Sequence, residues 1–245
     1  MKKFYMFVNA KNPYYREGLN TGPIPFDPTD LGGMVVAQED ILAFVQAGDD
    51  VLYEARPLGE VHESLWGPKR WNTHVVWLTR IGESSDPAVI KRLLDEGADV
   101  DASHFGRKGE ALRCAAMSGW LEIAKMLIKA GADVNAAMGS ALKEAVLKND
   151  IEIVKLLIEA GADVHVDDNW VLKSAAVKGY YEITELLLDQ GADIHAGNDV
   201  ALGSASSYGH PEVMALLLKN GADPKAALAM IAKASKAAKT KFLSS

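Results

Sequence analysis

Six histidines and one cysteine are the side chains best suited to metal or nucleophilic chemistry: His62, His74, His104, His165, His195, His210 and Cys114. A zinc site needs pairs of ligands at short, fixed spacings that return further along the chain. No histidine here forms such a pair. His62 stands beside Glu60 and Glu63, with His74 12 residues on; a metal or acid–base centre could be built from these, but a surface loop accounts for them better. Cys114 is followed by Ala115 in an alanine-rich segment, where a small buried side chain fits. A catalytic thiol instead needs an exposed, electropositive setting. The chain has no Gly-x-x-x-x-Gly-Lys-Ser/Thr loop to cradle phosphate and no Gly-x-Ser-x-Gly elbow. Gly32-Gly33 alone signals little. The sequence therefore predicts no catalytic residue, no metal ligand set and no bound cofactor.

The bulk properties narrow the classes further. Of 245 residues, 49% are hydrophobic and 24% charged, ordinary values for a folded domain. No stretch approaches the roughly 18 to 20 apolar residues that span a bilayer. The opening apolar run is broken by Asn9, Lys11 and Asn12, so no secretory signal is expected. A single cysteine excludes an internal disulfide and suits a reducing cytoplasm. The net charge of −7 is uneven: residues 84–224 hold 13 basic against 22 acidic residues, whereas residues 225–245 hold five lysines and no acid. An acidic body repels phosphate backbones, so nucleic acid is disfavoured as a partner and no membrane contact is expected.

Positioning elements emerge from self-similarity. Gly-Ala-Asp recurs at Gly97, Gly131, Gly161, Gly191 and Gly221, with spacings of 34, 30, 30 and 30 residues. A helical run precedes each: 88–96, 121–130, 151–160, 181–190 and 211–220. In the third, Ile153, Leu156 and Leu157 recur at i, i+3 and i+4, widened by Val154 and Ile158, with Glu and Lys on the opposite face. Gly161 then ends the helix, because glycine adopts the left-handed C′ conformation without steric cost. Shorter, alanine-rich helices are expected at 112–117, 142–147, 172–177 and 202–207. Each pair leaves apolar surface wet unless it stacks on its neighbours.

These residues resemble the ankyrin repeat family: Gly-Ala-Asp-Val-Asn-Ala (131–136), the Ala-Ala pairs 115–116 and 175–176, and Leu121-Glu-Ile-Ala-Lys-Met-Leu-Ile. The resemblance implies a mostly α, ankyrin-type helical solenoid over residues 84–224. Two departures matter. The family's Thr-Pro-Leu-His becomes Glu-Ala-Leu-Arg (110–113), Ser-Ala-Leu-Lys (140–143), Trp-Val-Leu-Lys (170–173) and Val-Ala-Leu-Gly (200–203), so only the leucine persists. The 30-residue repeats also lose three residues from the projecting β-finger, which should be truncated in three of the four; residues 102–109 keep the full length. His165 and His195 occupy turn positions where the family commonly has Asn. Residues 225–245, with alanines and lysines alternating, should form a capping helix and tail.

Residues 1–83 lack the repeat. Phe4–Val8, Met34–Ala37, Val51–Ala55 and His74–Ile81 read as strands, Glu39–Gln46 as one short helix, and the Gly- and Pro-rich stretch from Gly18 to Gly33 as a long loop. The expectation is a small α+β domain. Tyr15-Arg-Glu-Gly-Leu-Asn20, Pro25-Phe-Asp-Pro28, Gly32-Gly33 and Leu52-Tyr-Glu-Ala-Arg56 resemble the N-terminal modules found ahead of ankyrin repeats in some giant-virus and phage proteins. That resemblance implies a viral or mobile-element origin and no particular activity.

The ankyrin resemblance implies that fingers and first helices grip a partner. By position these are Met117 and Ser118, Leu147 and Lys148, Val177 and Lys178, and Ser207 and Tyr208. Trp170 precedes the first helix of its repeat, with counterparts Ser140 and Val200; Trp120, Tyr180 and His210 come one turn later. Aromatic residues dominate interface energetics, so Trp170, Tyr208, Trp120 and Tyr180 lead. The expected function is a non-catalytic protein-binding adaptor or inhibitor, in narrower form a viral or phage effector that sequesters a host defence protein. Exposed aromatics also allow a homodimer. The alternative is an enzymatic or nucleotide-sensing N-terminal domain, its Gly/Pro loop lined by Arg16, Asp27 and Asp30, with the repeats as a targeting arm.

Overall fold

Runs of β-branched and aromatic residues favour strands at the start of the chain, and 3.6-residue periodicity takes over after Pro87. The computed structural model describes residues 4–9, 18–21, 34–37, 50–57, 62–63, 70–72, 75–102 and 108–225. It divides into two compact units, residues 1–137 and 138–245.

The first unit opens with strands β1 (Phe4–Asn9), β2 (Gly18–Thr21), β3 (Met34–Ala37), β4 (Asp50–Pro57), β5 (His62–Glu63), β6 (Arg70–Asn72) and β7 (Val75–Glu83). They form one antiparallel sheet in the order β2-β7-β4-β1-β3-β6-β5. The four expected strands correspond to β1, β3, β4 and β7. Three more join them, and β2 occupies part of what the sequence suggested was loop. The expected helix at Glu39–Gln46 lies outside the described residues. Between β4 and β7 the register slips at Leu52/Tyr53, and Leu52 is fully buried.

Helix α1 (Pro87–Asp95) follows a two-residue turn. Asp86 caps it, its Oδ1 accepting from the Ala88 amide at 2.8 Å, and Pro87 supplies the fixed φ favoured at the first helical position. Its buried face, Val89, Ile90 and Leu93, packs towards α3. The pair α2 (Glu110–Ser118) and α3 (Leu121–Lys129) buries Ala111, Leu112, Cys114, Ala115 and Ala116 against Ile123, Ala124 and Leu127. Of the full-length finger expected at residues 102–109, residues 103–107 fall outside the description.

Helix α4 (Ala136–Lys148) begins at the end of the first unit and runs into the second. After it come α5 (Ile151–Glu159), α6 (Val166–Lys178), α7 (Tyr181–Asp189), α8 (Ala196–Tyr208) and α9 (Pro211–Lys219). The odd-numbered helices here bury one pattern twice, Ile153, Val154 and Leu157 and then Ile183, Thr184 and Leu187, and a shifted form of it in Val213, Leu216 and Leu217. The even-numbered helices bury another: Ala141, Leu142, Ala145 and Val146; Val171, Leu172, Ala175 and Ala176; Ala201, Leu202 and Ala205. Alanine at the contact lets helices such as α6 and α8 approach closely. Each buried leucine contributes roughly 1.5–3 kcal/mol. The tail expected to cap this arrangement lies almost wholly beyond the described residues, which end at Lys225.

Two glycines separate backbone strain from crowding. Gly161 (φ +93°) follows α5 with open space where a Cβ would stand. Gly179 (φ +74°) follows α6, and a Cβ there would fall 2.5 Å from Nδ1 of His210. Gly161→Ala should therefore cost about 1–2 kcal/mol, the penalty of a left-handed L-residue alone. Gly179→Ala should cost about 1 kcal/mol or more beyond that, because the displaced ring also loses a hydrogen bond. Urea unfolding midpoints of the two variants, measured side by side, check the order.

Candidate functional site

A shortened repeat must turn the chain between its Asp and its first helix in fewer residues. The structure achieves this without a clipped hairpin. Residues 137–139, 167–169 and 197–199 lie in the left-handed region, with φ between 49° and 65°. In the second and third of these, the Asn169 amide bonds the His165 carbonyl at 3.1 Å and the Asp199 amide bonds the His195 carbonyl at 3.3 Å. Each is one turn of left-handed helix leading into a right-handed one. Such residues cost about 1–2 kcal/mol each unless they are Gly, Asn or Asp. Asp167-Asp168-Asn169 and Gly197-Asn198-Asp199 meet that requirement; Ala137 and Met138 do not.

In the second and third turns the last residue has a task. The Asn169 Oδ1 accepts from the Asp193 amide at 2.8 Å, and the Asp199 Oδ1 accepts from the Asp223 amide at 3.2 Å. In the first unit Asp101 does the same for the Asp133 amide, at 3.0 and 3.1 Å. The Asp of each Gly-Ala-Asp meanwhile accepts from the amide two residues on, as in Asp163–His165 and Asp193–His195, both 2.8 Å. His165 and His195 are thus turn residues as expected. The His195 Nδ1 also lies 3.0 Å from the Asp199 Oδ1.

These turns deliver the first helices. Trp170, the first right-handed residue of α6, is half-buried, and the Lys143 ammonium sits 5.9 Å from its ring centroid. Lys143 also forms an ion pair with Asp167. Cation, ring and turn carboxylate therefore stand together, an arrangement worth about 0.5–1 kcal/mol for the ring contact alone at partly exposed sites. At the helix ends Leu147 is 42% exposed and Tyr208 65%, and Lys148, Lys178 and Ser207 are exposed. The Ser207 Oγ is already committed to the Gly203 carbonyl at 2.8 Å. Val177 is half-buried, as are Ser140 and Val200. Position-matching overlooked Met138, 66% exposed at the tip of its turn, and Leu218, 40% exposed on α9. Met138 was legible, since it aligns with Asp168 and Asn198.

The remaining candidates are more enclosed. Met117, Ser118 and Trp120, in the first unit, are half-buried, and the Met117 Sδ lies 3.7 Å from the Arg113 Nη1. Tyr180 is half-buried before α7, its carbonyl accepting the Thr184 hydroxyl at 2.7 Å. His210 does not project as its position suggested. Its ring abuts Gly179, and Nε2, carrying the proton, donates to the Val177 carbonyl at 2.9 Å. Only Asp150 among the four equivalent positions caps its helix, accepting from the Ile153 amide at 3.1 Å; Trp120, Tyr180 and His210 make no side-chain cap bond.

Cys114 is buried, as its neighbours implied. Among the described residues no group of three or more His, Cys, Asp and Glu side chains could hold a metal, and no helix is long and apolar enough to cross a membrane. Glu60, His74, His104, Arg16, Asp27, Asp30 and Gly32-Gly33 lie outside the described residues.

Residues 79–168 match a family model for ankyrin repeats, in three copies, and residues 172–199 and 200–227 each match the model of a single ankyrin repeat. No curated protein matches the chain.

Two substitutions test the left-handed turn. Asp168 is exposed and in no bond among the described residues, so Asp168→Gly should stabilise by roughly 0.5–1 kcal/mol, the relieved strain less the entropy glycine costs. Asn169→Gly relieves the same strain but removes the acceptor of the Asp193 amide. Its net effect should be about 1 kcal/mol less favourable than that of Asp168→Gly, as read from urea denaturation.

Proposed function

Because the chain belongs to the ankyrin repeat family, whose repeats mediate protein–protein interaction, we propose that it is a non-catalytic adaptor or inhibitor. The gripping surface in this reading is the exposed side of the first helices of residues 138–225. One observation carries it: among the described residues the exposed large hydrophobics are Met138, Leu147, Tyr208 and Leu218, and the first three stand at turn tips and first-helix ends. Large apolar groups left in water mark interaction surfaces where they gather rather than stand singly, and Leu147 and Tyr208 occupy adjoining positions of the repeat. Trp170, held by Lys143, supplies a preorganised aromatic anchor beside them, which lowers the ordering cost of binding.

Leu147, Lys148, Trp170, Val177, Lys178, Ser207 and Tyr208 form the working part of this surface. Met117, Ser118, Trp120 and Tyr180 are more enclosed and contribute less. The domain arrangement that goes with this function is an N-terminal α+β domain over residues 1–83, repeats over 84–224 and a capping tail from 225. In its narrowest form the chain is a viral or phage effector that sequesters a host defence protein, a form supported by the resemblance of the N-terminal motifs.

Alanine at both Trp170 and Tyr208 should abolish capture of the proteins that the unaltered chain enriches from lysate, measured by quantitative mass spectrometry. Truncating two anchors removes about 2 kcal/mol or more apiece. Circular dichroism should show an unchanged helical fold. Equal enrichment by the double variant would place the gripping surface elsewhere.

A further inference from the structure

Past their left-handed turns, which carry Asp167, Asp168 and Asp199, the first helices of the second unit carry charge opposite to that of the chain. Over residues 140–148, 170–178 and 200–208 stand Lys143, Lys148, Lys173 and Lys178 against Glu144 alone. On α5, α7 and α9 the balance reverses, with Glu152, Glu159, Glu182, Glu185, Asp189 and Glu212 against Lys155 and Lys219. The pairing differs too. Lys155 on α5 meets Glu152 at 3.4 Å, and Lys143 is engaged by Asp167. Lys148, Lys173 and Lys178 are exposed and in no ion pair among the described residues.

The fold lines these groups up. Lys148, Lys178 and Tyr208 hold the same position in three successive repeats. Lys143 of α4 reaches Trp170 and Asp167 of α6, and α6 packs on α8, so these helix ends neighbour one another at about the 8–10 Å spacing of packed helices. On α6, Trp170, Lys173 and Val177 follow one another on the side opposite the buried Val171, Leu172, Ala175 and Ala176, and Lys178 stands at the helix end, about 140° around from Lys173. Like charges at such spacing repel, and among the described residues no carboxylate pairs with Lys148, Lys173 or Lys178. An external one would.

We propose that this face receives an acidic peptide segment of the partner protein. Its carboxylates lie against Lys148, Lys173 and Lys178, and one hydrophobic residue lies against Trp170 and Tyr208. The proposal rests on the first-helix face being the gripping surface, and adds the chemistry of what is gripped. Charge complementarity selects the occupant. Three exposed lysines in no ion pair among the described residues match the carboxylates of a short acidic segment, and the nearby Asp167 is already held by Lys143.

The test uses the full chain and labelled peptides of about a dozen residues, the length an extended segment needs to cross three repeats. One is rich in Glu with a single Leu, and its analogue has Gln for every Glu. Fluorescence anisotropy should show the acidic peptide binding and the Gln analogue not, with affinity falling as salt rises from about 50 to about 300 mM. The triple variant Lys148→Glu, Lys173→Glu, Lys178→Glu should lose about tenfold or more, the Lys→Gln triple somewhat less, and Lys155→Glu on α5 nothing. Equal binding of the Gln analogue, or an unaffected Lys→Gln triple, overturns the proposal. So does tighter binding of oligothymidine, which would assign the row to nucleic acid, or a mass increase in light scattering abolished by the triple variant, which would make the occupant a second copy. If the acidic peptide fails while alanine at Trp170 and Tyr208 still abolishes capture, the acidic specification falls and the surface stands. If both fail, the surface itself is wrong.

Discussion

An amide that must be satisfied sets the register of the repeats. When a helix ends in Gly-Ala-Asp, the aspartate carboxylate turns forward to the amide two residues on, as Asp193 does to His195. That leaves the aspartate's own amide facing the preceding repeat, and a buried or half-buried amide without an acceptor costs about 1–3 kcal/mol. The preceding repeat supplies the acceptor from a side chain: Asp101 to Asp133, Asn169 to Asp193, Asp199 to Asp223. The bond fixes how far one repeat is rotated from the next, because a donor and an acceptor on different repeats must meet within about 3 Å.

The two repeat lengths reach this bond by different routes. Asp101 sits 32 residues before its donor, just after its own Gly-Ala-Asp turn, whereas Asn169 and Asp199 sit 24 residues before theirs. In two of the three shorter repeats the acceptor comes from the far side of the left-handed turn; in the other that position is Gly139, which has no side chain to accept. Three residues removed from a hairpin would otherwise pull the first helix out of place. A single left-handed turn reverses the chain in that reduced length and ends with its last side chain aimed at the next repeat. The strain of three left-handed residues is offset by that bond and by the burial of the Leu-led helix that follows. Asn, Asp and Gly fill the second and third turns because they bear the strain best. Ala137 and Met138 bear it least well, and Met138 is left projecting into solvent.

The helices were legible because their signals are local and physical: a 3.6-residue apolar stripe, then a glycine at the left-handed stop. The four longer strands were legible for the matching reason, through β-branched and aromatic content. Strands β2, β5 and β6 were not. Gly18-Leu-Asn-Thr21, His62-Glu63 and Arg70-Trp-Asn72 are short and carry little apolar alternation, and pairing to an existing neighbour makes them strands. The left-handed turns were hidden because Asp-Asp-Asn and Gly-Asn-Asp spell loop in general, and Ala-Met-Gly spells nothing. At the candidate site Leu147, Lys148, Trp170, Lys178 and Tyr208 could be placed by counting within a repeat. His210 could not, because its orientation depends on a glycine 31 positions earlier in the chain, whose missing side chain makes room for the ring.

That same distinction bears on what the repeats are built to do. The polar groups with chemical potential are committed to holding the backbone: the His210 ring to the Val177 carbonyl, the His195 ring to Asp199, the Thr184 hydroxyl to the Tyr180 carbonyl, the Ser207 hydroxyl to Gly203. Cys114 is shut inside α2. Lys148, Lys173, Lys178, Leu147 and Tyr208 are in the opposite position. They are open to solvent and make no ion pair among the described residues, and Lys148, Lys178 and Tyr208 recur at one position of the repeat. Side chains free of internal duty but fixed in spacing by a rigid backbone are equipped for recognition: a partner that matches the spacing meets a surface whose ordering cost was met on folding.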